Sequence, residues 1–453
     1  MNELKKLLNE KKTENGDISY KSTGDNLTDL FFMTPYFEKH LDEVNIGNTE
    51  KEKIFSMFIR DPRFGLGRRD LGRKLMELSG VDTYNIVVAG RMDDLWHIPT
   101  DENIQYLRDN ISNGLVKKWL PRLTGKDKRI AKALCKMWGM TEKEYRELIK
   151  YDATTEYKLS YAEKVGGTPL NDLFKEGEYV HPLVETINFE EVPSLAMNKY
   201  LHAFSTREDM KDRFAQYIAD VKENKAKVNV NTSNVMDAYK NVKKVDNEAS
   251  EVISRKIIDN ETLGVELDAI VILDTSGSMT WGAGCDYKPI DKANALALAI
   301  SEKSTYAPNQ VISFSSRPRL MQIKGETLAE KYRSMYTGDC SNTDFGAVMK
   351  LLQGLNKYPE YIIVLSDMEF DAGSHQSKKE TMELFKKYEA PTKLIWWNLN
   401  ERNKTVPEVD TYGNIYLSGY NLQILKLLEN NFDMSSYIDK ILDKYKKDID
   451  YKG

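Results

Sequence analysis

Five oxygen-bearing side chains in the C-terminal half of this sequence have the types and the spacing to hold a hard cation. Asp274, Ser276 and Ser278 lie in the pentapeptide DTSGS, directly after the apolar run AIVIL at 269–273. One carboxylate and two hydroxyls at alternate positions, with Gly277 relaxing the turn, aim three oxygens at one point. Mg2+, or Mn2+ or Ca2+ in its place, takes such an oxygen shell and commonly keeps waters in the remaining positions. Thr343, in the polar stretch GDCSNTD at 338–344, can add a hydroxyl, and Asp367, after the run YIIVLS at 361–366, adds a second carboxylate. A DxSxS turn alone also reads as a strand-to-helix turn with capping hydroxyls. Three loops that each bring an oxygen donor are a more specific signal. Glu369 and Asp371 follow on the same rim and read as solvated acids, and Cys285 and Cys340 read as unrelated reduced thiols.

A second set of residues suits phosphate. Residues 117–136 hold eight Lys or Arg against a single Asp, although the whole chain carries a net charge of −5. Local basic surface of this kind is compatible with nucleic acid, where the net charge alone decides nothing. In the helix expected after Asp127, Lys128, Arg129, Lys132 and Lys136 share one side within about 100° of arc, with Ile130, Leu134, Met137 and Trp138 on the other. Lys117, Lys118 and Arg122 precede them, and Arg69 and Arg73 fall opposite Leu71, Leu75 and Leu78 in an earlier helix. Such faces lie against phosphates and make binding salt-sensitive. The plain alternative is a solvated Lys/Arg face, and Arg60, Arg63, Arg91 and the pair Asp93-Asp94 equally fit buried ion pairs between helices.

The elements that must position these groups are legible from hydrophobic period. Residues 1–25 read as a polar tail or a single amphipathic helix. From 26 to 222 apolar residues recur at three and four, with breakers between them, so this region reads as an all-α helical-repeat array, a ring or a solenoid. Residues 223–262 are polar and read as a linker or a helical arm. From 263 to 430 apolar runs alternate with helical stretches, which predicts a doubly wound, Rossmann-like α/β domain with its DTSGS loop at a strand's carboxyl end. Residues 431–453 read as a closing C-terminal helix. The fold class expected is therefore α plus α/β.

Composition narrows the function classes. Apolar residues make up 41% and charged residues 30% of the 453, an ordinary globular balance. No run reaches the length of a membrane span, and the charged N-terminus lacks a secretory signal, so a cytoplasmic protein is expected. Three cysteines do not make a disulfide framework. The five histidines are scattered with no ligand or triad spacing, and no phosphate-binding loop or nucleophile elbow is present. The sequence reads as a binding protein, not an enzyme.

The motif DTSGSM with Thr343 and Asp367 resembles the metal-ion-dependent adhesion site of von Willebrand factor A domains. The resemblance implies that Ser276, Ser278 and often the Thr touch the metal directly, that the aspartates act partly through water, and that an acidic group of a partner fills an open position. Upstream, RDPRFGLGRRDL at 60–71, AGRMDDL at 89–95, KWLPR at 118–122 and VPSLAMN at 192–198 are similar to a TROVE-type helical module. They resemble in particular an uncharacterised family that joins such a module to a C-terminal A domain, and more remotely the Ro autoantigen family of ribonucleoproteins, helical HEAT-like rings closed by an A domain. That family implies binding of structured small RNA on a basic outer surface and of RNA 3′ ends in the central hole. Together the two resemblances cover most of residues 26–430.

The function expected is binding of structured or misfolded small RNA by a helical array closed by a Mg2+-binding domain. The alternative is a metal-dependent protein-interaction scaffold, in which the α/β domain grips an acidic residue of a partner protein.

Overall fold

The structure is a computed structural model that describes residues 9–149, 164–165, 168–169, 187–281, 288–314, 317–336, 342–354, 357–387, 392–399, 404, 406–407, 415–419, 422, 425 and 437–450. The chain forms two compact units, one of Met1–Glu43 with Ser194–Ile441, the other of Val44–Pro193 with Leu442–Gly453. The expected class holds: helices dominate the N-terminal region and a six-stranded α/β fold follows.

In chain order, strands β1 (Glu10–Lys12) and β2 (Ile18–Tyr20) pair antiparallel. The expected tail or helix at 1–25 is thus a hairpin over the described residues 10–20. Helices α1 (Asn26–Phe32) and α2 (Thr34–Phe37) follow. The helical unit then begins with α3 (Glu50–Arg60), α4 (Arg69–Ser79), α5 (Thr83–Ala89), α6 (Asp94–His97), α7 (Asp101–Asp109), α8 (Gly114–Trp119), α9 (Lys128–Met137) and α10 (Glu142–Leu148). Local chemistry sets these boundaries. Thr49 with Glu52 and Thr141 with Glu144 form capping boxes at α3 and α10. Gly80 ends α4 in the left-handed conformation at φ 66°. Two short strands, β3 (Lys164–Val165) and β4 (Thr168–Pro169), pair antiparallel.

The other unit resumes with α11 (Ser194–Thr206), α12 (Lys211–Lys222), α13 (Val235–Lys244) and α14 (Glu248–Glu261). Residues 223–262 are therefore mostly two packed helices: Val235, Met236, Tyr239 and Val242 of α13 and Ile253, Ile257 and Ile258 of α14 are buried. Their polar composition misleads because each helix shows only one apolar face. Residues 26–43 also join the α/β unit. The Asn398 amide donates to the Phe32 carbonyl at 3.1 Å and the Ser418 hydroxyl to the Phe31 carbonyl at 2.5 Å.

The sheet comprises β5 (Ala269–Asp274), β6 (Gln310–Phe314), β7 (Arg319–Gln322), β8 (Tyr361–Ser366), β9 (Lys393–Asn398) and β10 (Ile415–Ser418), in the order β10-β9-β8-β5-β6-β7. All neighbours are parallel except β6 and β7. Strand β7, mostly exposed and antiparallel at the edge, carries no apolar run that would announce it. Helices α15 (Pro289–Ser301), α16 (Leu328–Ser334), α17 (Phe345–Gln353) and α18 (Ser374–Lys387) connect the strands, and α19 (Tyr437–Asp450) follows the sheet. Strands β5 and β8 are buried at every position, as expected for parallel strands covered on both faces. The chain leaves β5 toward β6 on one side and returns to β8 on the other, which makes the carboxyl ends of β5 and β8 the switch point where doubly wound sheets bind ligands.

Candidate functional site

The register pairs Leu273 of β5 with Leu365 of β8, so Asp274 and Ser366 stand side by side at that switch point. The Ser366 hydroxyl donates to Asp274 Oδ2 at 2.5 Å, and the Ser276 backbone N–H donates to Asp274 Oδ1 at 2.9 Å. Ser276 Oγ and Ser278 Oγ are 3.2 Å apart. Oxygens at adjacent corners of an octahedral Mg2+ shell lie about 3 Å apart, given bonds of about 2.1 Å. The two hydroxyls are therefore already spaced as such a pair requires.

Asp274 is fully buried and Asp367 is 1% exposed. Burial, and then the charge of Asp367, push the Asp274 carboxyl up to about 7, while hydrogen bonds from Ser276 and Ser366 pull it back only in part. No ion pair neutralises Asp274 among the described residues. Carboxylates that repel one another in this way favour uptake of a proton or a cation. Among the described residues no group of three His, Cys, Asp or Glu gathers, so a cation here would rest on hydroxyls as well as carboxylates. That donor set suits Mg2+ or Ca2+ and not a soft metal.

Thr343 is 1% exposed, and its backbone carbonyl accepts the Asp371 N–H at 2.9 Å, which ties its loop to the one after Asp367. The turn at Asp367 is sharp. Met368 has φ 67°, a left-handed conformation rare for such a side chain, and its N–H donates to Ser366 Oγ at 3.0 Å. Ser366 thus holds both Asp274 and the turn after Asp367. Sequence reading noted Ser366 and gave it no role, although its place one residue before Asp367 at a strand end was the available signal.

Glu369 is not a solvated rim acid. It is 1% exposed, and its carboxylate accepts the Glu14 N–H at 2.7 Å. Thr13 donates to the Phe370 carbonyl and the Asn15 amide to the Glu369 carbonyl, both at 2.7 Å, so the N-terminal hairpin holds the Asp367 loop. Asp371 is half-buried. Cys285 and Cys340 lie outside the described residues.

The basic residues fall into two groups. On α9, Lys128, Arg129, Lys132 and Lys136 are all exposed, whereas Ala131, Leu134 and Cys135 are buried. Lys132 pairs with Glu142 at 2.7 Å, and among the described residues it is the one of the four in an ion pair. Met137, expected on the buried side, is 55% exposed. Lys117 and Lys118 are half-buried, with Lys118 over the Trp119 ring, and Arg122 donates to the Ile149 carbonyl at 2.8 Å.

The α4 pair separates. Arg69 is exposed beside Asp70 at 3.3 Å. Arg73 leaves the phosphate-binding set: its side chain is 10% exposed and grips Asp94 at 2.5 Å and Asp93 at 2.8 Å. Arg60 grips Asp94 from the other side at 2.8 Å. The physical reason is the close crossing of α3 and α4. A Cβ on Gly72 would meet the Arg60 Cα at 2.6 Å, so α4 turns its Gly72–Arg73 side inward and leaves Leu78 40% exposed.

Fold and site together define a helical unit with an exposed basic helix, and a doubly wound α/β unit with a hydroxyl–carboxylate cluster at its switch point. Residues 107–262 match a domain of unknown function, DUF2828, and residues 268–450 match another, DUF7788. The border between them falls between α14 and β5. No curated protein matches the chain. Among solved structures the chain is similar to the crystal structure of the RO (RSR) protein of Deinococcus radiodurans, at 15% identity and a TM-score of 0.42, over 88% of this chain and 84% of that one. No helix of the described residues is long and apolar enough to cross a membrane.

Proposed function

We propose that this chain is a cytoplasmic RNA-binding protein of Ro-like architecture, in which α9 meets RNA phosphates and the α/β unit carries a Mg2+ site of the von Willebrand A type. The observation that carries the RNA reading is the α9 face: four exposed cations on one side of a helix that buries Ala131, Leu134 and Cys135. Small structured RNA, folded or misfolded, offers the phosphate array that such a face fits. The motif resemblances at 60–71, 89–95, 118–122 and 192–198 point the same way. The protein acts by binding, without a catalytic step.

Asp274, Ser276, Ser278, Thr343 and Asp367 would hold the cation. When bound, it supplies a Lewis-acidic position for an acidic group. The residues of the chain do the rest: Ser366 orients Asp274, and the hairpin through Thr13 and Asn15 fixes the loop that carries Asp367.

The test is retention of RNA from a cell extract at roughly 50–100 mM salt. Wild-type protein is expected to retain small RNA and lose it as salt rises. Replacing Lys128, Arg129, Lys132 and Lys136 together by Glu should abolish retention with the fold intact by circular dichroism. Failure of the wild type to retain any RNA overturns the reading. A second reading, a metal-dependent scaffold for an acidic partner protein, is favoured by the Asp274–Asp367 pair. It predicts protein capture that needs Mg2+ and is unaffected by the four charge reversals.

A further inference from the structure

A cavity of about 610 Å³ opens in the α/β unit between α13, α15, α16 and the loop after β5. Its volume lies within the range of small-molecule sites, about 300–1,000 Å³. The wall is largely apolar and aromatic: Tyr239, Val242, Ile290, Tyr332, Met335 and Tyr336. Tyr239 and Tyr332 meet edge to face with centroids 4.8 Å apart, and Tyr336 is 79% exposed beside them. Rings so placed offer faces and edges to another flat ring.

The Tyr332 hydroxyl and the Asn294 amide oxygen lie buried behind this wall, so the cavity meets a ligand through its ring faces. A planar base stacks on such rings whatever its identity.

The rim is cationic. Lys243, Lys288 and Arg333 stand there against Asp246 and Asp291. Asp291 is engaged inward, accepting from the Tyr239 hydroxyl at 2.7 Å and from Lys243 at 2.9 Å. Arg333 meets Asp246 at 3.5 Å with both side chains at least 60% exposed, a weak pairing that an incoming anion can displace. An arginine fork suits a phosphate.

We propose that this cavity binds a nucleotide, with the base stacked against the tyrosines and the phosphate at Arg333, Lys243 and Lys288. The same chemistry is offered by a free nucleoside monophosphate and by the end of an RNA strand. The cavity belongs to a different unit from the α9 face, so the two proposals fail separately.

The experiment is calorimetric titration of the full chain with the four nucleoside monophosphates, with adenosine and guanosine, with inorganic phosphate, and with a five-nucleotide RNA. The RNA is also titrated against the variant carrying the four α9 charge reversals, which silences that face. At least one monophosphate, or the RNA end, is expected to bind. Tyr336→Ala should weaken it about tenfold, as should Arg333→Glu, while the corresponding nucleoside is affected by Tyr336→Ala alone. Because Tyr336 is 79% exposed, Tyr336→Ala should melt no lower than wild type. Saturation by monophosphates identifies a free nucleotide as the source, and saturation by the RNA alone identifies a strand end. The proposal is overturned if neither binds at millimolar concentration. It is equally overturned if binding is matched by inorganic phosphate and indifferent to Tyr336→Ala.

Discussion

Buried carboxylates occur in both units, and the two units treat them oppositely. In the helical unit, Asp94 is fully buried and is met by Arg60, by Arg73 and by the Arg91 backbone N–H at 2.9 Å. In the α/β unit, Asp274 is fully buried beside Asp367, and its hydrogen-bonding neighbours are a serine hydroxyl and a backbone amide. The first arrangement is electrically complete within the chain. The second sets two like charges side by side, and a proton or a cation would relieve that repulsion. Burial of an acid therefore does not by itself separate structure from function, but the sign of its neighbours does.

The largest effect expected from this contrast is at Asp94. Asp94→Ala strands the buried Arg60 guanidinium and leaves Arg73 with Asp93 alone, a change that costs about 3–5 kcal/mol. Urea unfolding should register that loss, equally with and without Mg2+. A loss below about 1 kcal/mol would mean the cluster is not the organising contact of α3, α4 and α6.

Asp274 should behave the other way. Asp274→Asn removes one of two repelling charges and keeps an acceptor for Ser366, so the metal-free protein should be at least as stable as wild type. What it should lose is the stabilisation by Mg2+, about 2.7 kcal/mol in wild type at a hundredfold excess over the dissociation constant. Thermal melts with and without Mg2+ measure both quantities. An unchanged Mg2+ shift in the variant would place the cation elsewhere.

The same contrast explains what was legible in the sequence. The strands of the α/β unit were plain, because parallel strands covered on both faces read as continuous apolar runs, and the cluster follows from loops at their ends. The hairpin at 10–20 and strand β7 were not, since both are short and show little apolar alternation. In the motif RDPRFGLGRRDL, charge fitted a basic surface and buried ion pairs equally well. Arg60, Asp61 and Gly65 are packing residues: a Cβ on Gly65 would strike the Phe58 carbonyl oxygen at 1.8 Å, and Asp61 is fully buried. Arg73 was misread because helical phase was counted from Leu71, Leu75 and Leu78, whereas Gly72 lets the neighbouring helix approach on a face rotated from that stripe. On α9 no such glycine intervenes, and the basic face is exposed as expected.

A third buried acid tests whether isolation of charge is costly where no cation site exists. Glu261 is 5% exposed, and its carboxyl is pushed up to about 8 by burial despite the Val235 N–H it accepts at 2.6 Å. A carboxyl whose pKa rises on folding binds its proton more tightly in the native state. Stability should therefore fall as pH rises from the unfolded value near 4.5 toward 8, and flatten above it. Glu261→Gln should remove that slope and leave the protein more stable than wild type at pH 8, by about 1–3 kcal/mol. Melting curves from pH 5 to pH 8 check it, and parallel slopes for both proteins would show that Glu261 is neutralised by other means.

The smallest effect lies on the surface, where charge is cheap to expose and useful only to a partner. Lys132 and Glu142 pair at 2.7 Å with both side chains 48% exposed. Glu142→Gln should leave the melting temperature unchanged, since exposed pairs contribute little. It should instead release Lys132 to the face shared with Lys128, Arg129 and Lys136. RNA affinity is then expected to rise about two- to threefold at low salt, with a steeper salt dependence from one more phosphate contact. Binding isotherms across a salt series measure both. An affinity indifferent to Glu142 would detach α9 from RNA and leave its cations as solvated charge, the counterpart on the surface of what Arg60 and Arg73 are in the interior.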